Sequence, residues 1–194
     1  MEKRAKQHSR LVVILAGCAL ILTLLFLGLK SSGESGLPPL FEEEETRIGL
    51  PVRLTIPRIG VDAAIESVGL TPEGAMGVPA DPANAAWFSA GPRPSEEGSA
   101  VIAGHYGWKD GLPAVFDNLS SLQKGDKIYI EDENGALIAF VVRELRSYGA
   151  YEDASEVFGS IDGKAHLNLV TCEGVWNNVS KSYAKRLVIF ADKE

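Results

Sequence analysis

The sequence predicts an all-β domain, a closed barrel of about eight strands with one or two short helices, preceded by a single N-terminal transmembrane helix. Three observations predict it. Residues 11–29 form an uncharged apolar run, short β-rich segments recur from about Leu50 onward, and an Asn-Gly pair separates two of those segments.

The run LVVILAGCALILTLLFLGL at 11–29 would reach about 28 Å as a helix, which matches the hydrocarbon core of a bilayer. A cleaved signal peptide and a buried core helix are the competing readings. Signal peptides have an apolar core of about 7–15 residues followed by a small-residue cleavage site, whereas Gly28, Leu29 and Lys30 follow here. The basic stretch MEKRAKQHSR precedes the run and a single Lys follows it, which places the N-terminus in the cytoplasm by the positive-inside rule. Residues 1–10 are therefore expected as a cytoplasmic basic segment, 11–29 as the span, 30–49 as a flexible acidic stalk and 50–194 as an extracellular domain. The stalk is rich in Ser, Gly and Pro and carries four consecutive Glu at 42–45. Consecutive side chains do not converge on one ion, so this reads as a solvated, self-repelling linker. No metal and no cofactor are expected.

The formal charge of −7 is unevenly spread. Residues 1–30 hold five of the 19 basic side chains and one of the 26 acidic ones, so the remainder carries a net −11. An acidic body repels phosphate backbones, which excludes nucleic acid as a partner and leaves a membrane surface as the partner of the basic end.

The strands are read from VRLTIP, VDAAIESV, SAVIAGH, KIYIED, ALIAFVVREL, HLNLVTC and RLVIFA, separated by Gly, Pro, Asn and Asp, a signature of a barrel or a sandwich, and about 145 residues of mostly antiparallel β structure can close into one small barrel. Asn134-Gly135, between KIYIED and ALIAFVV, is the strongest hairpin signal in the chain. Helical signals are confined to a turn or two within residues 113–122 and another within 154–158. Period-two alternation puts Val170 and Cys172 on one face of their strand and Leu169 and Thr171 on the other.

Of the two cysteines, Cys18 lies in the apolar run and Cys172 is the only thiol after it. An exported, unpaired thiol is either an intermolecular link or a group kept free for reaction. A sulfur nucleophile needs a partner to take its proton. His8 precedes the span, and His166 starts the segment that ends in Cys172, about 20 Å away if that segment is extended. His105, closing SAVIAGH at a strand end or loop mouth, is the remaining candidate. Arg186, in the last segment, can supply a guanidinium to a tetrahedral oxyanion, with Lys185 directed to the other side. Taken singly, each has a structural alternative: a small buried hydrophobe for Cys172, a hydrogen-bonded strand-end histidine for His105, a surface arginine for Arg186.

Together these residues resemble the sortases, extracellular cysteine transpeptidases built on an eight-stranded barrel with a His, Cys and Arg catalytic set. Asn168-Leu169-Val170-Thr171-Cys172 is similar to the family's Thr-Leu-x-Thr-Cys, departing at Asn168. Val101-Ile102-Ala103-Gly104-His105 and Arg186-Leu187-Val188-Ile189-Phe190 match the segments carrying the family histidine and arginine, in the same order, and 56–62 (IPRIGVD) resembles the first barrel hairpin. Asp81-Pro82-Ala83 lacks the aromatic residue of the lid found in pilin-assembling sortases, and Gly91-Pro92-Arg93-Pro94 with the compact size is similar to class F or class D. The resemblance implies cleavage of a C-terminal sorting motif of the Leu-Pro-x-Thr-Gly type through a thioester on Cys172. The acyl group would pass to an amine of the cell wall or of another surface protein, with Thr171 and Glu173 contributing to substrate binding. A hydrolytic cysteine peptidase and a non-catalytic membrane-anchored binding module are the competing readings. The Ser-His-Gly-Cys pattern of L,D-transpeptidases is absent, and papain-like enzymes place cysteine before histidine, the reverse of the order here.

Overall fold

The computed structural model describes residues 48–149 and 152–194. The expected transmembrane run and basic segment, and most of the expected stalk, lie outside these residues. Among the described residues no helix is long and apolar enough to cross a membrane.

Eight strands form the barrel: β1 (Pro51–Ile56), β2 (Val61–Val68), β3 (Ala85–Phe88), β4 (Gly98–Gly104), β5 (Lys127–Asp132), β6 (Leu137–Gly149), β7 (Ala165–Asn177) and β8 (Ser182–Lys193). Around the closed sheet they run β1-β2-β3-β4-β7-β8-β6-β5, with β5 returning to β1. The pairs β2/β3 and β4/β7 are parallel and the others antiparallel. Within the closed part of the barrel no strand is left as an edge, which removes there the exposed ladder groups that invite aggregation. Regular helix is limited, among the described residues, to single 3-10 turns at Pro57–Ile59, Lys109–Gly111, Leu119–Ser121 and Ser155–Val157. The two expected helical stretches are thus one turn each, and two further turns stand where none was expected.

Alternation along the strands builds the interior. Leu54 and Ile56 of β1, Ile102 of β4, Ile128 and Ile130 of β5, Phe140 of β6, Leu167 and Leu169 of β7 and Ile189 of β8 are fully buried there, joined by Phe116 and Leu119 from the β4–β5 connection. Each such side chain contributes roughly 1.5–3 kcal/mol by leaving water. A second, smaller cluster of Val101, Tyr148, Val157, Val188 and Phe190 lies apart from this interior. Val101, Val188 and Phe190 alternate with interior residues of β4 and β8, so they belong to the outer face, covered there by Val157 from the β6–β7 connection. With both faces covered, β4 reads as a continuous apolar run instead of an alternating one.

The Asn134-Gly135 turn joins β5 to β6 as expected. Buried Asp132 organises it, accepting N–H groups from Asn134 and Ala136 on Oδ1 (2.9 and 2.8 Å) and from Gly49 on Oδ2 (2.9 Å). Gly49 and Ile48, assigned to the stalk by sequence, are therefore hydrogen-bonded to the barrel, the second through the Arg93 guanidinium. The register Pro51↔Asp132 puts this entry point at the end of the barrel opposite the ends of β4 and β6.

The strands differ from expectation at several points, β6 among them, which runs to Gly149 instead of ending at Leu145. β3 was unforeseen because its four residues, AAWF, are too few to show a period. β7 continues five residues beyond Cys172, and β8 begins at Ser182 instead of Arg186, because the two pair with each other as a long hairpin out to Asn177↔Ser182. The polar composition of 173–185 hides that pairing, since a hairpin arm projecting from the barrel need not be apolar.

Gly104, the last residue of β4, sits where a Cβ would lie 2.4 Å from Cδ2 of the fully buried Phe116 ring and 2.7 Å from Cγ1 of Val115. Gly104→Ala is expected to cost about 1–3 kcal/mol, because the packed ring cannot retreat. Urea denaturation of the variant against wild type measures this, and a loss below about 0.5 kcal/mol would contradict the close-packing account.

Candidate active site

The parallel register Ile102↔Leu169, Ala103↔Val170, carried two residues further, sets His105 level with Cys172. The antiparallel register then places Cys172 opposite Arg186. The three candidates thus form a transverse row across β4, β7 and β8, and all three line one cleft of about 540 Å³.

Each is positioned by its own local structure. His105 leaves β4 directly after Gly104, whose missing Cβ lets the β4–β5 connection fold back so that the Phe116 N–H reaches the His105 carbonyl at 3.0 Å. Asp117 braces the same connection, accepting N–H groups from Gly107 (2.7 Å) and Ala114 (2.9 Å). The His105 ring packs on Trp108 with centroids 4.6 Å apart, and its Nε2 donates to the Pro79 carbonyl at 2.9 Å. His105 and Cys172 share the cleft without a hydrogen bond to each other. Arg186 donates from Nη1 to the carbonyls of Tyr183 (3.2 Å) and Lys185 (2.9 Å), and no carboxylate among the described residues pairs with it. Its charge is left available to the cleft.

Cys172 is a free, half-buried thiol. Burial pushes its pKa up, and the Arg186 guanidinium opposes that rise without cancelling it. The thiol is therefore mainly protonated at neutral pH, and the proton must leave during any attack by sulfur.

The residues flanking Cys172 lie outside the lining of the cleft. Thr171, expected to help bind substrate, is buried on the opposite face, and its hydroxyl donates to the Gly104 carbonyl at 2.8 Å. It ties β7 to the end of β4 and so supports the backbone that carries His105. Glu173 pairs in register with Lys185 and is half-buried, outside the lining of the cleft, with Oε2 buried and lacking a hydrogen-bond partner among the described residues.

His166 stands away from the cleft. It is buried between two carboxylates, with Nδ1 2.8 Å from Asp192 and Nε2 3.0 Å from Asp162. The imidazole, then Ser160 and the Lys164 N–H, hold the Asp162 carboxyl well below the usual carboxylate range.

Sequence reasoning missed the aromatic wall of the cleft. Tyr183 packs edge-on against Tyr106 (5.5 Å) and Trp176 (5.2 Å), and burial pushes the Tyr183 phenol up. Trp176 reaches this position because the β7–β8 register shifts between Glu173 and Trp176, around Gly174 at φ 88°, a left-handed conformation that glycine adopts freely. Aromatic residues next to His105 and on a polar hairpin were the available signal.

The described residues contain no group of three or more His, Cys, Asp or Glu side chains able to hold a metal ion.

A family model for the sortase domain matches residues 54–194. The search of curated proteins returns no match. Among solved structures, sortase C-1 from Actinomyces oris is 22% identical with a TM-score of 0.57, over 74% of this chain and 74% of that one. A lid mutant of sortase A from Corynebacterium diphtheriae is 18% identical with a TM-score of 0.58, over 78% and 74%. The pilus-related sortase C of Group B Streptococcus is 23% identical with a TM-score of 0.57, over 78% and 77%. At these identities the structural likeness speaks for the fold alone, while the family model covers most of the chain and includes the row of His105, Cys172 and Arg186. On that match, and on the barrel that carries the row, the chain belongs to the sortase family, whose members are cysteine transpeptidases.

Proposed function

We propose that this protein is a membrane-anchored extracellular transpeptidase that cleaves a C-terminal sorting motif of the Leu-Pro-x-Thr-Gly type and transfers the acyl group to an amine. The observation that carries this reading is the convergence of a free thiol, an imidazole and a guanidinium with no carboxylate partner among the described residues in one cleft of a sortase-family barrel. Membrane anchoring rests on the apolar run at 11–29. The placement near class F or class D rests on the sequence resemblance.

In this reading the sorting-motif Thr carbonyl binds beside Cys172. The thiol proton passes to His105 as sulfur attacks the carbonyl carbon. The tetrahedral oxyanion forms within reach of Arg186, whose permanent charge counts for more in a partly dehydrated cleft than in water. The Thr–Gly bond then breaks, His105 returns the proton to the leaving amine, and a thioester remains on Cys172. A second amine, from a cell-wall peptide or another surface protein, gives up a proton and attacks the thioester, restoring the thiol and forming the new amide. Thr171 acts from behind by holding Gly104 in place.

Cys172→Ala is expected to abolish cleavage of a sorting-motif peptide, and His105→Ala to lose almost as much. Arg186→Ala should cost on the order of 10² to 10³ in turnover if it acts as a single oxyanion donor, with little recovery in Arg186→Lys, because a point charge does not reproduce the planar fork. His166→Ala should retain full activity per folded molecule. Mass spectrometry of the products with and without an added amine separates transfer from hydrolysis. Full activity in His105→Ala with a dead His166→Ala would sink the assignment, and loss in neither would leave Cys172 an ordinary structural residue.

The thiol itself provides a second check. The pH midpoint for alkylation of Cys172 by iodoacetamide should lie above that of an ordinary cysteine, because burial penalises the thiolate. Arg186→Gln should move it higher still, since the opposing charge is gone. An unchanged or lower midpoint in that variant would show that Arg186 does not act on the sulfur.

A further inference from the structure

His105 is tied to a carboxylate on a strand distant from it in sequence. Glu66 of β2 accepts N–H groups from Ala80 on Oε2 at 2.9 Å and from Asp81 on Oε1 at 3.4 Å, and the side-chain amide of Asn84 on Oε1 at 2.9 Å. All three donors belong to the β2–β3 connection. Pro79 precedes Ala80 and is buried, and its carbonyl is the acceptor for His105 Nε2 at 2.9 Å. A carbonyl oxygen can only accept, so Nε2 must carry the hydrogen. In a neutral imidazole the lone pair then resides on Nδ1.

Resting on the reading of His105 as the proton carrier, we propose that Glu66 is a positioning residue for it. By fixing the Pro79 carbonyl, Glu66 selects the tautomer with hydrogen on Nε2 and makes Nδ1 the nitrogen that exchanges protons with the Cys172 thiol and the leaving amine.

The donor set explains why position 66 carries an acid. Three N–H groups converge on it, and only an ionised carboxylate is acceptor at both oxygens. An amide would turn its NH₂ toward one of the donors. Glu66 is suited to remain ionised, because the Ala80 N–H first and then the Asn84 amide hold its carboxyl below the ordinary range against the opposing effect of burial, with the Asp81 N–H and the nearby His105 adding in the same direction. The Val115 N–H separately anchors the connection at the Pro82 carbonyl (2.8 Å). Loss of Glu66 is therefore expected to free the Pro79 carbonyl while the connection as a whole stays attached. The same logic governs histidine ligands of metals, where the group bound to one ring nitrogen decides which nitrogen works.

The test uses the full chain in detergent, labelled with ¹⁵N-histidine, at a pH where the imidazoles are neutral. His105 signals are assigned by their loss in His105→Gln. Wild type should show a protonated Nε2 and an unprotonated Nδ1. Glu66→Ala and Glu66→Gln should shift His105 toward mixed tautomers with the His166 signals unchanged, and kcat for a sorting-motif peptide should fall by roughly tenfold with KM little altered. Asn84→Ala, which removes one contact of the three, should move both readouts less and in the same direction, and it carries the test if the Glu66 variants do not fold. A wild-type ring protonated on Nδ1, or unchanged His105 tautomer signals in the folded variants, would overturn the proposal. So would a tautomer shift that leaves kcat intact. Undiminished activity in His105→Ala would instead remove the catalytic reading of His105, whatever the tautomer signals show.

Discussion

The pairing of β4 with β7 is the constraint on which the candidate site depends. The two strands are far apart in sequence, yet they lie side by side and parallel, so their C-terminal ends emerge together. Adjacent strands lie about 4.8 Å apart. A residue just past the end of β4 and one inside β7 can therefore share a cleft without a loop having to carry either across the barrel. The Thr171 hydroxyl on the Gly104 carbonyl holds this junction at the level where it matters. A slip of one residue between the strands would turn the whole outward row of β7 inward, Cys172 included.

Gly104 lets the chain leave the barrel and fold back at once, with Phe116 filling the space its side chain would take. His105 is thus braced through its backbone by Phe116 and through its ring by Pro79 and Trp108. Scaffold and site share these contacts. On the other side of Cys172, Arg186 comes from β8 through an antiparallel ladder that extends well past both residues. Its position is therefore set by the sheet, and the polar hairpin arm beyond it is free to furnish the aromatic wall.

The electrostatics run against the body of the protein. Residues 31–194 are strongly acidic, yet Arg186, Lys109 and Lys181 line the cleft. Burial raises the Cys172 pKa and a single guanidinium opposes it. A thiol held neutral is protected from adventitious oxidation, which proceeds through the thiolate, and it becomes a nucleophile when its proton has somewhere to go.

By itself the sequence determined the all-β class, the Asn134-Gly135 hairpin, the placement of Val170 and Cys172 on one strand face with Leu169 and Thr171 on the other, and the segments bearing His105, Cys172 and Arg186. All of these are written in short-range patterns: alternation, turn residues and the identity of a few reactive side chains. The exclusion of His166 was also legible, because the length of an extended strand follows from residue count alone. The tertiary structure decided the rest. It decided that β3 is a strand, since four apolar residues show no period until β2 and β4 pair with them. It decided that β7 and β8 continue into a polar hairpin, that Thr171 faces the barrel junction and not the cleft, and that Tyr106, Trp176 and Tyr183 form one wall. It also decided the link from Glu66 through Pro79 to His105. Each of these depends on residues distant in sequence meeting at a set register, and strand pairing between distant segments is the quantity that local patterning does not encode.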